Sequence, residues 1–380
     1  MKNKAIKYRI YPNIEQEILL AKTFGCVRKV YNLMLSLQIM LYQMGKKKIS
    51  KTKMNNFCNN VLKEFYPYLR EVDKFALTNA IYNLEDAFKN FFEGNASFPK
   101  FKTKYKSELS YATNITNNNI EIVNKGIKLP KLGIIEASIH RTAPKDWTLK
   151  SATVKKTPSG EYYVSVLYEY ENQVSQVEPV NILGLDYSSE HLFVDSTGFK
   201  LNYPRYYRQA EEKLAKEQRK LSKMKEDAKK RGQKLKDCKN YQKQKVKVAK
   251  LHRKVANCRK DLLHKLSYII AENYDAVAVE DIDMKAIAQS LNLGKSTMDN
   301  GFGKFRDMLK YKLEDRGKQF VKVDRFFPSS QLCHCCGYKN PKVKDMHIRD
   351  WICPICGEHH DRDVNAAINL QKEAKRILTA

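Results

Sequence analysis

The stretch SSQLCHCCGYKNPKVKDMHIRDWICPICGEHHDRDVNAA, residues 329–367, decides how the rest of this chain is organised. It contains two Cys-x-x-Cys pairs, Cys333/Cys336 and Cys353/Cys356, and the spacer between them has the length expected of a four-cysteine zinc site. A glycine follows each pair, where a tight turn needs a permissive backbone. The stretch therefore predicts one structural zinc ion, bound tetrahedrally by these four cysteines.

The same cysteines could instead form disulfides in an oxidising compartment. The N-terminal residues MKNKAIKYRIYP alternate like a strand and lack the apolar run of a secretory signal, which favours a reducing cytoplasm. Nine cysteines are an odd number, and the five outside the predicted zinc site are scattered. Cys335 lies inside the first pair and is a candidate additional ligand.

The charge of the chain points to a polyanionic partner. The 380 residues carry a formal net charge of +28 and a pI of about 9.6, far beyond what solubility requires. Nucleic acid is the simplest partner for such a surface, and a merely lysine-rich or ribosomal protein is the alternative. No run of eighteen apolar residues occurs, so no membrane span is expected.

The first half of the chain predicts a β-barrel interrupted by helices. Residues 4–11 alternate as a strand, and residues 13–95 then show helical periodicity, with helices expected at 54–65 and 72–92. Short alternating strands follow and predict an antiparallel barrel whose first strand is 4–11. These later strands are expected at 121–123, 126–129, 134–141, 149–156 and 161–170.

The second half predicts a sheet with long basic helices. The segments ILGLD (182–186) and AVAVED (276–281) are apolar strands that end in carboxylates, and 191–195 is expected to pair with the first. Between them, residues 204–265 hold 23 Lys and Arg against 7 Asp and Glu, with Gly232 predicting a break into two antiparallel helices. Further helices are expected at 284–291 and 302–316, and a strand at 320–323.

Three carboxylates stand at element ends: Asp186 and Glu280 at the ends of the two strands, and Asp363 at the start of the last helix. Because strand ends of a mixed or parallel sheet meet at one edge, we expect the three to converge there and to bind divalent cations. Two Mg²⁺ ions about 4 Å apart would suit hydrolysis of a phosphodiester. Asp361 is expected in the loop that leads into the last helix, as a cap of that helix. Asp281 and Asp283 come after Glu280, too far along the chain to lie at the same point of the strand.

The motifs GLDYS, AVEDI, PSSQLCHCCG, CPICG and DRDVNAAIN, with the less specific KYRIYPNIEQ and SFPKFK, resemble the signature series of the TnpB family of transposon-encoded RNA-guided nucleases. The resemblance implies a multidomain α+β protein. Its RNase H-like (RuvC) core would be split by a zinc ribbon, and its N-terminal wedge barrel would be interrupted by a helical recognition region. The implied barrel would comprise 1–12 and 96–180, with the recognition helices at 13–95 between its two parts. The implied nuclease core would comprise 181–328 and 358–380, with the zinc ribbon at 329–357 between its two parts.

The resemblance also implies a function. The chain would bind a guide RNA encoded at the transposon end and cut double-stranded DNA beside a short target-adjacent motif. Asp186, Glu280 and Asp363 would be the catalytic, magnesium-binding triad, and the protein would act as a monomer in its complex, in a bacterial or archaeal cytoplasm and at the nucleoid when on DNA. The alternatives are a guide-dependent DNA-binding repressor without cleavage, a guide-independent zinc-ribbon DNA-binding protein and a strand-transfer transposase.

Overall fold

The structure is a computed structural model that describes residues 1–105, 107–290, 299, 301–345 and 347–379. The chain divides into two compact units, Met1–Asn172 and Gln173–Ala380. Each unit has its own principal sheet and its own apolar core.

The first unit is built on a seven-stranded antiparallel sheet with the order β2-β6-β7-β1-β5-β4-β3. Its strands are β1 Lys2–Tyr11, β2 Leu109–Asn114, β3 Glu121–Val123, β4 Gly126–Leu129, β5 Gly133–Ser138, β6 Thr148–Lys156 and β7 Tyr162–Tyr170. Strand β1 lies between β7 and β5 in this sheet. Its side chains alternate, so that Ile6, Tyr8 and Ile10 point into the core while Lys7 and Arg9 face solvent. The predicted first strand and antiparallel arrangement are thus confirmed. The predicted closed barrel is not, because among the described residues no pairing joins the end strands β2 and β3 and the sheet is open.

Strand β2 was not predicted. Its sequence, LSYATN, has no regular apolar alternation, yet β2 pairs with β6 along its whole length and buries Tyr111 in the core. Tertiary pairing overrides the weak local preference here.

The helices of the first unit are inserted between β1 and β2, as the sequence predicts. They are α1 Ile14–Gln43, α2 Lys51–Phe57, α3 Lys63–Phe65 and α4 Lys74–Phe92. A capping box starts α1: Asn13 accepts from the Gln16 amide and Gln16 accepts from the Asn13 amide. The single helix predicted at 54–65 is instead interrupted by a π turn, Cys58–Leu62, which joins α2 to α3.

The second unit is built on a four-stranded sheet with the order β11-β10-β8-β9. Its strands are β8 Ile182–Ser188, β9 Leu192–Asp195, β10 Ala276–Glu280 and β11 Gln319–Val323. Strands β8, β10 and β11 run parallel and β9 runs antiparallel to β8. Apolar clusters cover both faces, which explains why these strands read as continuous apolar runs.

Among the described residues, five helices accompany this sheet: α5 Tyr206–Lys230, α6 Lys239–Asn273, α7 Met284–Ser290, α8 Phe302–Glu314 and α9 Arg362–Thr379. The break predicted at Gly232 is confirmed, because α5 and α6 form an antiparallel pair around a turn where Gly232 has φ +63°. The last residue of the predicted helix 284–291 lies outside the described residues. Within the described parts of the chain, no helix is both long enough and apolar enough to cross a membrane.

Helix α9 packs directly on β8. A Cβ atom at Gly184 would lie 1.9 Å from the carbonyl oxygen of Ala367, so only glycine permits this approach. The contact holds the N-terminal half of α9 beside the strand that carries Asp186.

The cysteine-rich segment lies between β11 and α9. It contains a 3-10 turn, Pro341–Lys344, and a two-stranded sheet of β12 Asp350–Ile352 and β13 His359–Asp361. Its small core consists of Cys333, Val343, Trp351 and Cys353. Four apolar residues make a weak core, so the segment needs a further crosslink to be stable.

Candidate metal centres and nucleic-acid surface

Asp186 and Glu280 lie side by side at the same edge of the second sheet. Parallel strands β8 and β10 pair Leu185 with Val279, and the next residue on each strand is the carboxylate. The apolar strands therefore deliver both side chains to the carboxyl end of the sheet, where ligands bind in open α/β folds.

Asp363 comes to the same place from the first turn of α9. Burial raises the pKa of Asp186 well above its usual range, and the negative charges of Asp363 and Glu280 raise it further, while Arg362 opposes them. Burial also raises the pKa of Glu280. The structure thus brings the three predicted carboxylates into one electrostatic site, although Asp186 and Asp363 lie 177 positions apart in the sequence.

A divalent cation fits this donor set. Three carboxylates close together repel one another, and a hard cation with oxygen ligands removes that repulsion. Among the described residues, the four cysteines form a group close enough to hold a metal ion as the side chains stand, and the three acids do not.

Two arginines support the carboxylate site and were missed by the sequence analysis. One guanidinium nitrogen of Arg349, on a side chain that is 66% exposed, lies 3.4 Å and 3.5 Å from the two oxygens of Asp363. Arg306 donates to the backbone carbonyls of Glu280 and Ile282, at 3.3 Å and 3.0 Å, and so fixes the chain where it leaves β10. Neither arginine lies in a sequence motif that would have indicated its contact with the site.

The neighbouring acids have other partners. Asp361 accepts hydrogen bonds from the amides of Asp363 and Val364, at 3.1 Å and 3.0 Å, and pairs with Lys200 at 2.5 Å, so it caps α9 as predicted. Asp281 pairs with Lys322 at 2.9 Å. These contacts leave Asp363 as the acid of this stretch that contributes to the site.

The four predicted cysteines form a compact cluster whose Sγ atoms all lie within 4.8 Å of one another. The Cys333–Cys356 and Cys336–Cys353 Sγ distances are both 3.5 Å. Tetrahedral zinc with bonds of about 2.3 Å would place its sulfurs about 3.8 Å apart, so the cluster is compatible with a structural zinc ion. Cys335 is exposed and lies outside the cluster.

The α5–α6 pair is a basic surface held together by a buried acid. Glu217 is 7% exposed and contacts Lys247 at 3.1 Å and Lys220 at 3.5 Å, while Gln244 donates to it at 2.7 Å. Most of the remaining lysines of the two helices are exposed. This excess of cations over acids favours binding to a phosphate backbone.

The basic aromatic loop at 97–104 is only partly available to a ligand. Phe98 and Phe101 are exposed, but Lys102 is partly buried, with its ammonium 4.0 Å from the ring centre of Tyr31. Asn32 also holds the Lys102 backbone through hydrogen bonds of 2.8 Å and 2.9 Å. Lys102 therefore stabilises the loop. Phe98 already packs edge-on against Phe88 and Phe91, so Phe101 is the ring of this loop that is left for stacking.

Family models match three parts of the chain. A model described as a probable transposase matches residues 165–291, and a Cas12f1-like TNB domain model matches residues 302–370. A model described as a helix-turn-helix domain matches residues 1–47, where the structure has β1 and the single helix α1.

Relatives match almost the whole chain. A Streptomyces pristinaespiralis protein provisionally named an RNA-guided DNA endonuclease is 32% identical, over 97% of this chain and 88% of its own. The Escherichia coli K12 protein InsQ, provisionally given the same activity in its name, is 28% identical over 99% of this chain and 93% of its own.

A solved structure shares the fold. The chain is similar to one in a cryo-EM structure of the Cas12f1–sgRNA–target DNA complex, with a TM-score of 0.58, 13% identity, and coverage of 97% of this chain and 98% of that one. At so low an identity the likeness concerns the fold alone.

Proposed function

Because this chain belongs to the TnpB family, we propose that it is an RNA-guided, metal-dependent endonuclease that cuts double-stranded DNA beside a short target-adjacent motif. The observation that carries the proposal is the convergence of Asp186, Glu280 and Asp363 on one edge of the second sheet. A strongly cationic protein that only binds nucleic acid gains nothing from a partly buried cluster of acids.

We propose an RNase H-like (RuvC) core for the second unit. Its mixed sheet carries Asp186 and Glu280 directly after the last paired residues of β8 and β10, with a third carboxylate on α9, and this supports the assignment. Strand β8 continues to Ser188, so Asp186 lies within it and not at its predicted end. The core would comprise 181–328 and 358–380, with the zinc ribbon at 329–357 between them. The first unit would then be the wedge sheet, 1–12 and 96–180, interrupted by the recognition helices at 13–95.

The residues of the site divide the chemical work. Asp186, Glu280 and Asp363 would hold two magnesium ions. Magnesium bound there would supply an activated water and neutralise charge on the scissile phosphate. Arg306 keeps Glu280 in place, and the Asp361 cap keeps Asp363 at the start of α9. The four cysteines would hold one structural zinc.

The partners follow from the charge. A guide RNA encoded at the transposon end would select the target by base pairing, and the protein would bind the RNA and the heteroduplex through their backbones. The α5–α6 pair, the lysine-rich segment GKKKISKTK at 45–53, which runs into the first turn of α2, and the loop at 97–104 are the surfaces proposed for these contacts. One chain per guide RNA suffices, because it supplies all three acids.

Charge reversal on α5 tests this assignment. Lys216, Lys223 and Lys230 are exposed and follow one another at seven-residue steps on one face of the helix. Replacing all three by Glu is expected to weaken guide-RNA binding and to flatten the dependence of log K on log salt by about 0.7–0.9 per lost phosphate contact. Filter binding across a salt series measures both effects.

The matched control replaces the same three lysines by Arg, which keeps the charge. We expect this variant to retain the affinity and the salt slope of the unmodified chain. An unchanged slope in the triple Glu variant would show that this face of α5 is only solvated and binds no phosphate.

A plasmid assay tests the proposed activity. The complex with its co-purified RNA is expected to linearise or nick a supercoiled plasmid bearing the guide-matched target in Mg²⁺ but not in EDTA. The repressor alternative predicts stable binding with no cutting in Mg²⁺. Absence of co-purifying RNA would instead favour the guide-independent binding protein.

A further inference from the structure

The cysteine cluster and the N-terminus of α9 are joined by buried asparagines. Asn365, 1% exposed, accepts from the backbone amide of His334 at 3.0 Å and donates to the carbonyl of Leu332 at 2.7 Å. Asn369 donates to the carbonyls of Ser329 at 2.8 Å and Leu332 at 2.7 Å. Both side chains therefore hold the first Cys-x-x-Cys pair against the helix that carries Asp363.

A histidine makes a second connection. His360 is 2% exposed, packs on Trp351 with ring centres 4.5 Å apart, and places Nε2 3.1 Å from the Sγ of Cys333. A zinc-bound cysteine is a thiolate and can only accept a hydrogen bond, so Nε2 would carry the proton. The next residue along the chain is Asp361, which caps α9 two residues before Asp363.

We propose that His360 and Asn365 are positioning residues through which zinc occupancy fixes the N-terminus of α9, and hence the carboxylate of Asp363. A hydrogen bond to a charged thiolate is stronger than one to a thiol, so zinc loading strengthens the Cys333–His360 contact. Helix first turns lack internal hydrogen-bond partners and fray unless something outside holds them. The coupling is a property of the fold, and only its catalytic consequence rests on the proposed function.

The first test measures zinc release to a chromogenic chelator from the full-length protein. His360→Phe keeps the ring volume but removes the donor, and we expect zinc to leave about 10–100 times faster. His360→Gln, whose amide can reach the position of Nε2, is expected to restore most of the slow release. The matched control is His359→Phe on the exposed side of the same strand, which should release zinc at the unmodified rate.

The second test follows hydrogen exchange in the peptide that covers residues 361–366. Asn365→Ala is expected to keep zinc bound but to raise exchange there at least tenfold, and removal of zinc from the unmodified protein should do the same. Zinc-loaded Asn365→Ala is included because removing zinc from the unmodified protein can unfold more than the N-terminus of α9. Equal exchange with and without zinc, or unaltered zinc release in His360→Phe, would overturn the inference.

Cleavage then separates this inference from the proposed function. Zinc-loaded Asn365→Ala should need several-fold more Mg²⁺ for half-maximal plasmid cleavage while its saturated rate changes little. Changes in exchange and zinc release without any cleavage by the unmodified protein would contradict the nuclease and leave the coupling standing. If Asn365→Ala and the unmodified protein cleave with the same Mg²⁺ requirement, the proposed effect on Asp363 is contradicted and the nuclease assignment is retained.

Discussion

Asp186→Asn is expected to lower target cleavage by at least about 10³-fold, because the substitution removes a charge from a site whose work is electrostatic. Binding of guide RNA and of target DNA should stay within a few-fold of the unmodified protein, since base pairing and cationic side chains supply it. Guide-programmed plasmid cleavage and filter binding measure the two effects on the same preparation.

The same substitution should have the opposite effect on stability. Burial and the neighbouring acids raise the pKa of Asp186, so the folded state disfavours its charged form. The proton is therefore bound more tightly in the folded than in the unfolded chain, and its stabilising contribution is lost as pH rises from the unfolded pKa through the folded one. In EDTA at neutral pH, Asp186→Asn should thus melt at or above the unmodified temperature, and added Mg²⁺ should stabilise it less.

The remaining acids supply the controls. Glu280→Ala and Asp363→Ala should each abolish cleavage, and a triple variant should be no worse than a single one because the three act as a unit. Asp361→Ala loses a helix cap that is worth about 1 kcal/mol but no metal ligand, so substantial cleavage should remain. Undiminished cutting by Asp186→Asn and Glu280→Ala together would contradict the proposed site.

Much of this arrangement can be predicted from the sequence because it depends on local pattern. Apolar runs that end in Asp186 and Glu280 identify two buried strands, and parallel pairing then places both acids at one edge. The spacing of Cys333, Cys336, Cys353 and Cys356 predicts their cluster in the same way, since two-residue gaps leave few other geometries. The helix break at Gly232 likewise follows from one residue's backbone freedom.

The rest depends on contacts between distant residues. Asp363 was predicted at the same site, but the packing of α9 on Gly184 that brings it there is encoded by no sequence period. The contact of Arg349 with Asp363 and that of His360 with Cys333 arise because β12 and β13 fold back on each other. Strand β2 was missed for the same reason, since pairing with β6, and not its own sequence, makes it a strand.

Cys353→Ser is expected to have the second large effect, on structure as well as on cleavage. Cys353 is 1% exposed and belongs to a core that has four buried members among the described residues, so the segment depends on the metal crosslink for its stability. Structural zinc contributes about 10–16 kcal/mol in small zinc-binding peptides, far more than this core can supply. We therefore expect the variant to carry almost no zinc, to be cut by protease within 329–361, and to lose cleavage because α9 loses its anchor.

Cys335, which lies between the first two predicted zinc ligands in the sequence, provides a matched control for this experiment. Cys335 is exposed and lies outside the four-sulfur cluster, so Cys335→Ser should retain one zinc per chain, resist protease and cleave its target normally. Zinc per chain, measured by atomic emission on protein purified without chelator, distinguishes the two variants directly. Because the first unit has its own core, its fragments should survive the protease in both variants. Absence of zinc from the unmodified protein, or loss of zinc in Cys335→Ser but not in Cys353→Ser, would contradict the assignment of the four ligands.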